Sequence, residues 1–202
     1  MALKFAVNNS LSAITSLPAS ISGGALTLLQ TQTASSSATI DFTSNIDSTY
    51  DAYMFKFYDI HPATDNVNFS INFRDGGSSF DATKTSSAFA SYHNEAGNTT
   101  GLSYEASFDL AQSTGDQLLN AGGGVGGDAD QSISGTLKLF NPSSTTFVKH
   151  YMSNINFYNN SDYTIQSFIG GYCNTTTAID GTQFKFSSGA IESGVIKLYG
   201  IS

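Results

Sequence analysis

The chain has a single cysteine, Cys173, so no disulfide can close within it and no thiol cluster is available to a metal. Tryptophan, a frequent platform for sugar rings, is absent. Charge is scarce: Asp, Glu, Lys and Arg make up 12% of the residues, about half the usual share. Eight of these residues are basic against sixteen acidic, for a net charge of −8. Nucleic-acid binding draws on cations that displace counterions from phosphate, and this chain cannot supply a basic stripe. The same deficit disfavours anionic membrane surfaces and acidic partners. No run approaches the ~18 apolar residues of a membrane span. The opening, Met1 to Ser10, turns polar too early for a signal peptide. These absences lead us to expect synthesis in a cytoplasm, folding without oxidation, and no membrane insertion.

What fills the chain is Ser, Thr, Asn and Gly, with hydrophobic residues at 40% and aromatics at 12% of 202 residues. That is enough apolar material for a core, and one domain is expected at this length. Uncharged hydroxyl and amide side chains suit exposed strand faces and tight turns. Helical surfaces favour Glu, Lys and Arg instead. Composition therefore points to an all-β fold.

Residues 1–24 hold Pro18 and Gly23-Gly24 without a dominant period, and read as an extended arm for attachment or oligomer contacts. From residue 25 to 202 a single β-sandwich domain is expected. Its strands are read at 25–33, 36–42, 53–60, 66–74, 83–93, 132–140, 146–157, 163–173, 183–186 and 195–201. The clearest is 66–74, with Val67, Phe69, Ile71 and Phe73 inward, Asn68, Ser70 and Asn72 outward, and a turn at Asp75-Gly76-Gly77. Residues 94–130 differ. They carry a run of glycines (Gly97, Gly101, Gly115, Gly122 to Gly124, Gly126 and Gly127) and read as flexible loops facing outward or toward a neighbour, with room for a short helix at 104–119. Short strands with turn signals between them argue for a sandwich or barrel, and a jelly-roll-like antiparallel sandwich is expected.

A weak echo links three strands. Met54-Phe55-Lys56-Phe57-Tyr58, Ser134-Gly135-Thr136-Leu137-Lys138-Leu139-Phe140 and Ser193-Gly194-Val195-Ile196-Lys197-Leu198-Tyr199 each place one lysine among apolar residues. The expectation is an outward lysine that guards a strand edge against pairing with another chain.

Chemistry is hard to find. His61, His93 and His150 lack the close spacing of a metal site. Glutamate occurs only at Glu95, Glu105 and Glu192, thin material for the paired acids of a glycosidase. The stretch Gly122 to Asp130 lacks the lysine and helix of a phosphate loop. Asp128 and Asp130 have the spacing that opens a calcium loop but do not complete one, since the bidentate glutamate is missing. No catalytic, cofactor or metal residue is therefore assigned, and no enzyme is expected. Cys173 reads as a small buried hydrophobe. The ten tyrosines, which bury a ring and keep a polar tip wet, suit subunit or sugar contacts as well as core.

Several segments also resemble a group of tailed-bacteriophage proteins, mostly from marine sequence. They are Met1-Ala2-Leu3-Lys4-Phe5 with the stretch from Leu11 to Pro18, the stretch from Asn141 to His150, and the ending from Gly194 to Ile201. The resemblance implies a virion protein without catalytic residues: a tail-fibre or tail-tip protein aiding adsorption, or a capsid decoration protein bracing the head. A homotrimer contacting other virion proteins is expected, with a host-surface glycan as a further partner. A carbohydrate-binding module is the rival reading.

Overall fold

The computed structural model describes residues 26–202; the expected arm, residues 1–24, lies outside them. Twelve strands and no helix occur among the described residues. They are β1 (Thr27–Ser37), β2 (Ile40–Phe42), β3 (Ala52–Pro62), β4 (Phe69–Arg74), β5 (Lys84–Asn94), β6 (Thr100–Tyr104), β7 (Gln117–Leu118), β8 (Ile133–Phe140), β9 (Lys149–Tyr158), β10 (Tyr163–Cys173), β11 (Gly181–Phe186) and β12 (Ile191–Ile201). Alternation drives their formation. In β9, Tyr151, Ser153, Ile155 and Phe157 are buried while His150, Met152, Asn154 and Asn156 are exposed.

All pairings are antiparallel, and the strands form two sheets in a β-sandwich. The larger runs β1-β12-β3-β8-β9-β10-β5-β6 and the smaller β2-β11-β4-β7. The chain changes sheet at every step from β1 to β5 and again around β7 and β11. Two hairpins, β5–β6 and β9–β10, both join the larger sheet and widen it on one side.

Phenylalanines fill the space between the sheets. Phe184 of β11 lies 5.2 to 6.1 Å, centroid to centroid, from Phe42, Phe55, Phe57 and Phe69. Three of these contacts are edge-to-face, which suits the ring quadrupoles. All five rings are buried. The chain bends at Gly76 and Gly77, with φ of +103° and +71°, values glycine adopts readily, but β4 and β5 lie in different sheets, so the bend closes no hairpin.

The segment 105–131 departs from expectation. It holds no helix, and it is not a loose outward loop. It runs extended across the inner face of β9, β10 and β5, with Leu119, Ala121 and Val125 fully buried. β7 pairs with β4, and Val125 bridges Val67 and Asn159. Side-chain amides and hydroxyls satisfy its buried backbone. Asn120 accepts from the Phe69 N–H at 2.9 Å and donates to the Gly123 carbonyl at 2.6 Å. Ser167 accepts from the Ala121 N–H at 2.9 Å and donates to the Leu119 carbonyl at 2.6 Å. The glycines serve close approach: at Gly122, with φ of +102°, an added Cβ would stand 3.1 Å from both Ala90 and Ile165. Its exposed residues are Ala106, Ser107, Ala111, Gln112, Thr114, Gly115 and Asp128 to Asp130.

Candidate functional site

The outer face of the larger sheet has no covering layer among the described residues. Register places one side chain per strand along a row that crosses it. From edge to edge this row reads Thr31, Lys197, Lys56, Thr136, Asn154, Phe168, Phe89 and Tyr104. At a strand spacing of ~4.8 Å its seven intervals span about 34 Å. A second row runs beside it: Leu28, Tyr199, Met54, Lys138, Met152, Gly170 and Ser87. Neither row contains a carboxylate. Acids stand at the margins, where Asp59 accepts from Ser134 and Asp109 accepts from Tyr104.

The two halves of the face differ in chemistry. Over β8, β9, β10 and β5 lies an open groove of about 460 Å³ bordered by Phe89, Lys138, Phe140, Met152 and Phe168. Phe89 and Phe168 stack at 4.8 Å with planes 12° apart. Gly170 forms the dip, since an added Cβ there would meet open space. Phe89, Met152 and Tyr104 are 45%, 59% and 60% exposed, and Leu102 on the edge strand is 72% exposed. These exposed apolar groups make this half of the face a candidate interaction patch.

The other half is cationic. Lys56 and Lys197 face each other directly across β3 and β12, and Lys138 follows on β8 opposite Met54. Lys56 lies over the Tyr199 ring at 5.3 Å and Lys197 over the Tyr58 ring at 5.4 Å. These cation–π contacts orient the ammonium groups without neutralising them. Among the described residues none of the three forms an ion pair. Arg74 and Lys185, in contrast, pair with Asp180 at 2.7 Å and Asp116 at 2.9 Å. Here the sequence echo is corrected. The three lysines do face outward, but β12, β3 and β8 are interior strands of the sheet, so they guard no edge. Their adjacency depends on strand order, which the echo alone does not reveal.

The remaining candidates are scattered. His61 on β3 meets the Gln131 carbonyl through Nδ1 at 2.6 Å and Glu192 through Nε2 at 3.2 Å. His93 lies on β5 and His150 on β9, the latter 6.1 Å from the Tyr172 ring. Glu95 and Glu105 sit beyond opposite ends of β6, far from Glu192 on β12, so the glutamates are not brought together. Asp128 and Asp130 are exposed beside Gln131, and no group of three or more potential metal-ligating residues forms among the described residues.

Cys173 is buried as expected, but its neighbours were not foreseen. Lys84 and Lys149 flank it on β5 and β9, both fully buried. Burial lowers both lysines from their ordinary range, Lys84 to about 8, and pushes the Cys173 thiol up to about 12. The signal for this row was strand phase. Lys149 alternates with Tyr151, Ile155 and Phe157, and Lys84 with Ala88 and Ala90. All three side chains are fully buried among the described residues.

Comparison of the chain with protein-family models, with curated proteins and with solved structures found no match.

Proposed function

We propose that this protein is a non-enzymatic structural component of the exterior of a tailed-phage particle, acting at the tail fibre or tail tip in host adsorption. The observation that carries this is the open outer face, a broad surface that presents side chains instead of enclosing a reaction. The strand order adds support. Taken without the β5–β6 and β9–β10 hairpins, the rows β1-β12-β3-β8 and β2-β11-β4-β7 have the order of an eight-stranded jelly roll, an architecture used in capsid and lectin domains. The phage-like segments at both ends of the chain point the same way. In this proposal residues 1–24 hold the subunits of a homotrimer to each other or to the particle, and the sheet face looks outward.

The test is to purify particles from the encoding phage and label this protein with gold-tagged antibody. Signal at the tail is expected. Signal on the head would move the protein to the decoration role, and its absence from particles would remove the virion assignment altogether.

A further inference from the structure

We propose that the outer face of the larger sheet binds an acidic, carboxylate-bearing polysaccharide, with Lys56, Lys197 and Lys138 taking the carboxylates. This deepens the adsorption proposal above by naming a ligand class for the same face.

The lysine arrangement is the main observation. Like charges directly opposite on neighbouring strands destabilise a sheet. Lys56 and Lys197 hold that arrangement on interior strands, without a carboxylate in their row or in the row of Tyr199, Met54 and Lys138. In a chain with sixteen acids and eight bases, three unpaired cations on one face form a concentrated positive patch. An anion from outside relieves the repulsion, and the tyrosines beneath Lys56 and Lys197 have already fixed where the ammonium groups stand.

The geometry selects among anions. A row perpendicular to the strands offers one side chain every ~4.8 Å, comparable with the rise per sugar of an extended polysaccharide. Along it the chemistry passes from hydroxyl and ammonium through Thr136 and Asn154 to the rings of Phe168, Phe89 and Tyr104. Hydroxyls and amides suit sugar hydroxyls, aromatic rings suit the apolar faces of sugars, and lysines suit carboxylates. The groove beside Gly170 gives ring substituents a place to enter. Nucleic acid fits poorly, because three lysines release few counterions and the chain as a whole is anionic. A second copy packed with its two-fold axis through the lysine patch would set the lysines against their own equivalents.

The experiment is affinity electrophoresis of the full chain in gels containing polygalacturonate, with neutral dextran and polyphosphate as separate controls. We expect retardation by polygalacturonate alone, weakening as NaCl is added. The double variant Lys56→Gln/Lys197→Gln should bind about tenfold more weakly, as expected from loss of two exposed ion pairs. Phe89→Ala should weaken binding at unchanged salt dependence. The proposal is overturned by any of four results: no retardation of the wild type, equal retardation in dextran, equal retardation in polyphosphate, or an undiminished effect in the lysine variant. Lysine-dependent self-association in sedimentation would assign the face to a second copy instead. The salt response of the wild type stands even if a variant fails to fold. Labelling of particles is a separate measurement, so loss of the ligand leaves the virion assignment intact.

Discussion

Lys84 and Cys173 stand directly opposite each other on β5 and β10, sealed between the sheets, with Lys149 on the far side of the thiol. Lys84 Nζ donates to Asn72 Oδ1 and to the Ala82 carbonyl, each at 2.6 Å, and Lys149 Nζ donates to the Thr175 carbonyl at 3.0 Å. Neither ammonium has a carboxylate partner. Neutral acceptors satisfy their hydrogen bonds but offset little of the cost of burying charge.

Stability should therefore rise with pH just above neutrality. The unfolded Lys84 keeps its proton to about pH 10.4, whereas the folded one releases it near 8. Between those values the unfolded state binds more protons, so raising pH favours folding. Cys173 acts in the opposite sense above about pH 8.5, where an unfolded thiol ionises and the buried one does not. The net gain is thus expected between about pH 7.5 and 9, on the order of 1 kcal/mol. Urea midpoints across that range would show it. Lys84→Met should shrink the rise, leaving only the part that Lys149 supplies; a rise of unchanged size in the variant would detach it from Lys84.

The thiol itself should be inert in the native protein. Burial holds it protonated and out of reach of solvent. A disulfide reagent at pH 8 is expected to modify Cys173 only after urea unfolds the chain. Rapid labelling under native conditions would mean that the sandwich opens locally at β10.

Phe184→Ala should be the most damaging single truncation among the phenylalanines. The ring touches four others, and the cavity left behind is shared by both sheets. The expected loss is about 3–5 kcal/mol, measured by chemical denaturation. A loss below about 1 kcal/mol would mean that the cluster repacks freely.

Gly122→Val tests whether the glycine-rich segment is packed. Both its positive φ and the 3.1 Å approaches to Ala90 and Ile165 oppose a side chain. A drop of more than about 1 kcal/mol is expected, through backbone strain and overpacking together. Hydrogen exchange gives an independent check, since the Val125 N–H donates to the Val67 carbonyl at 2.8 Å and should be slow. Fast exchange at Val125 would restore the loose loop expected from composition.

Much of the strand content was legible because burial alternates along it. The readings at 53–60, 132–140 and 163–173 fall on β3, β8 and β10. The reading at 36–42 merged two elements: β1 runs to Ser37 and β2 starts at Ile40, with the break at Ala38 and Thr39 just after Ser36, whose φ is +48°. Ser70 and Asn72 were expected outward, yet Asn72 accepts from Lys84 of the opposite sheet. Both are buried, and Asn72 donates to Thr114 and Asp116 of the covering segment. That segment escaped notice because its buried apolar residues, Leu119, Ala121 and Val125, are few and set among glycines and polar side chains. The open face escaped for a different reason. Each lysine was visible in its own strand, but the row exists only once β12, β3 and β8 lie side by side, a relationship between distant parts of the chain.

Removal of residues 1–24 should leave thermal unfolding unchanged within a degree or two while abolishing incorporation into particles. The described strands form both sheets without that segment. Truncated protein that still joins particles normally would dismiss the attachment role; a truncated protein that fails to fold would make the segment part of the sandwich.

The two added hairpins have a structural corollary. β5–β6 and β9–β10 are excursions from a chain whose other eight strands contain the whole phenylalanine cluster. Breadth of contact and the nucleus of stability are thus encoded in different stretches of sequence. Substitutions at Leu102 or Phe89 would alter the exposed face of the hairpins while leaving the Phe184 cluster intact.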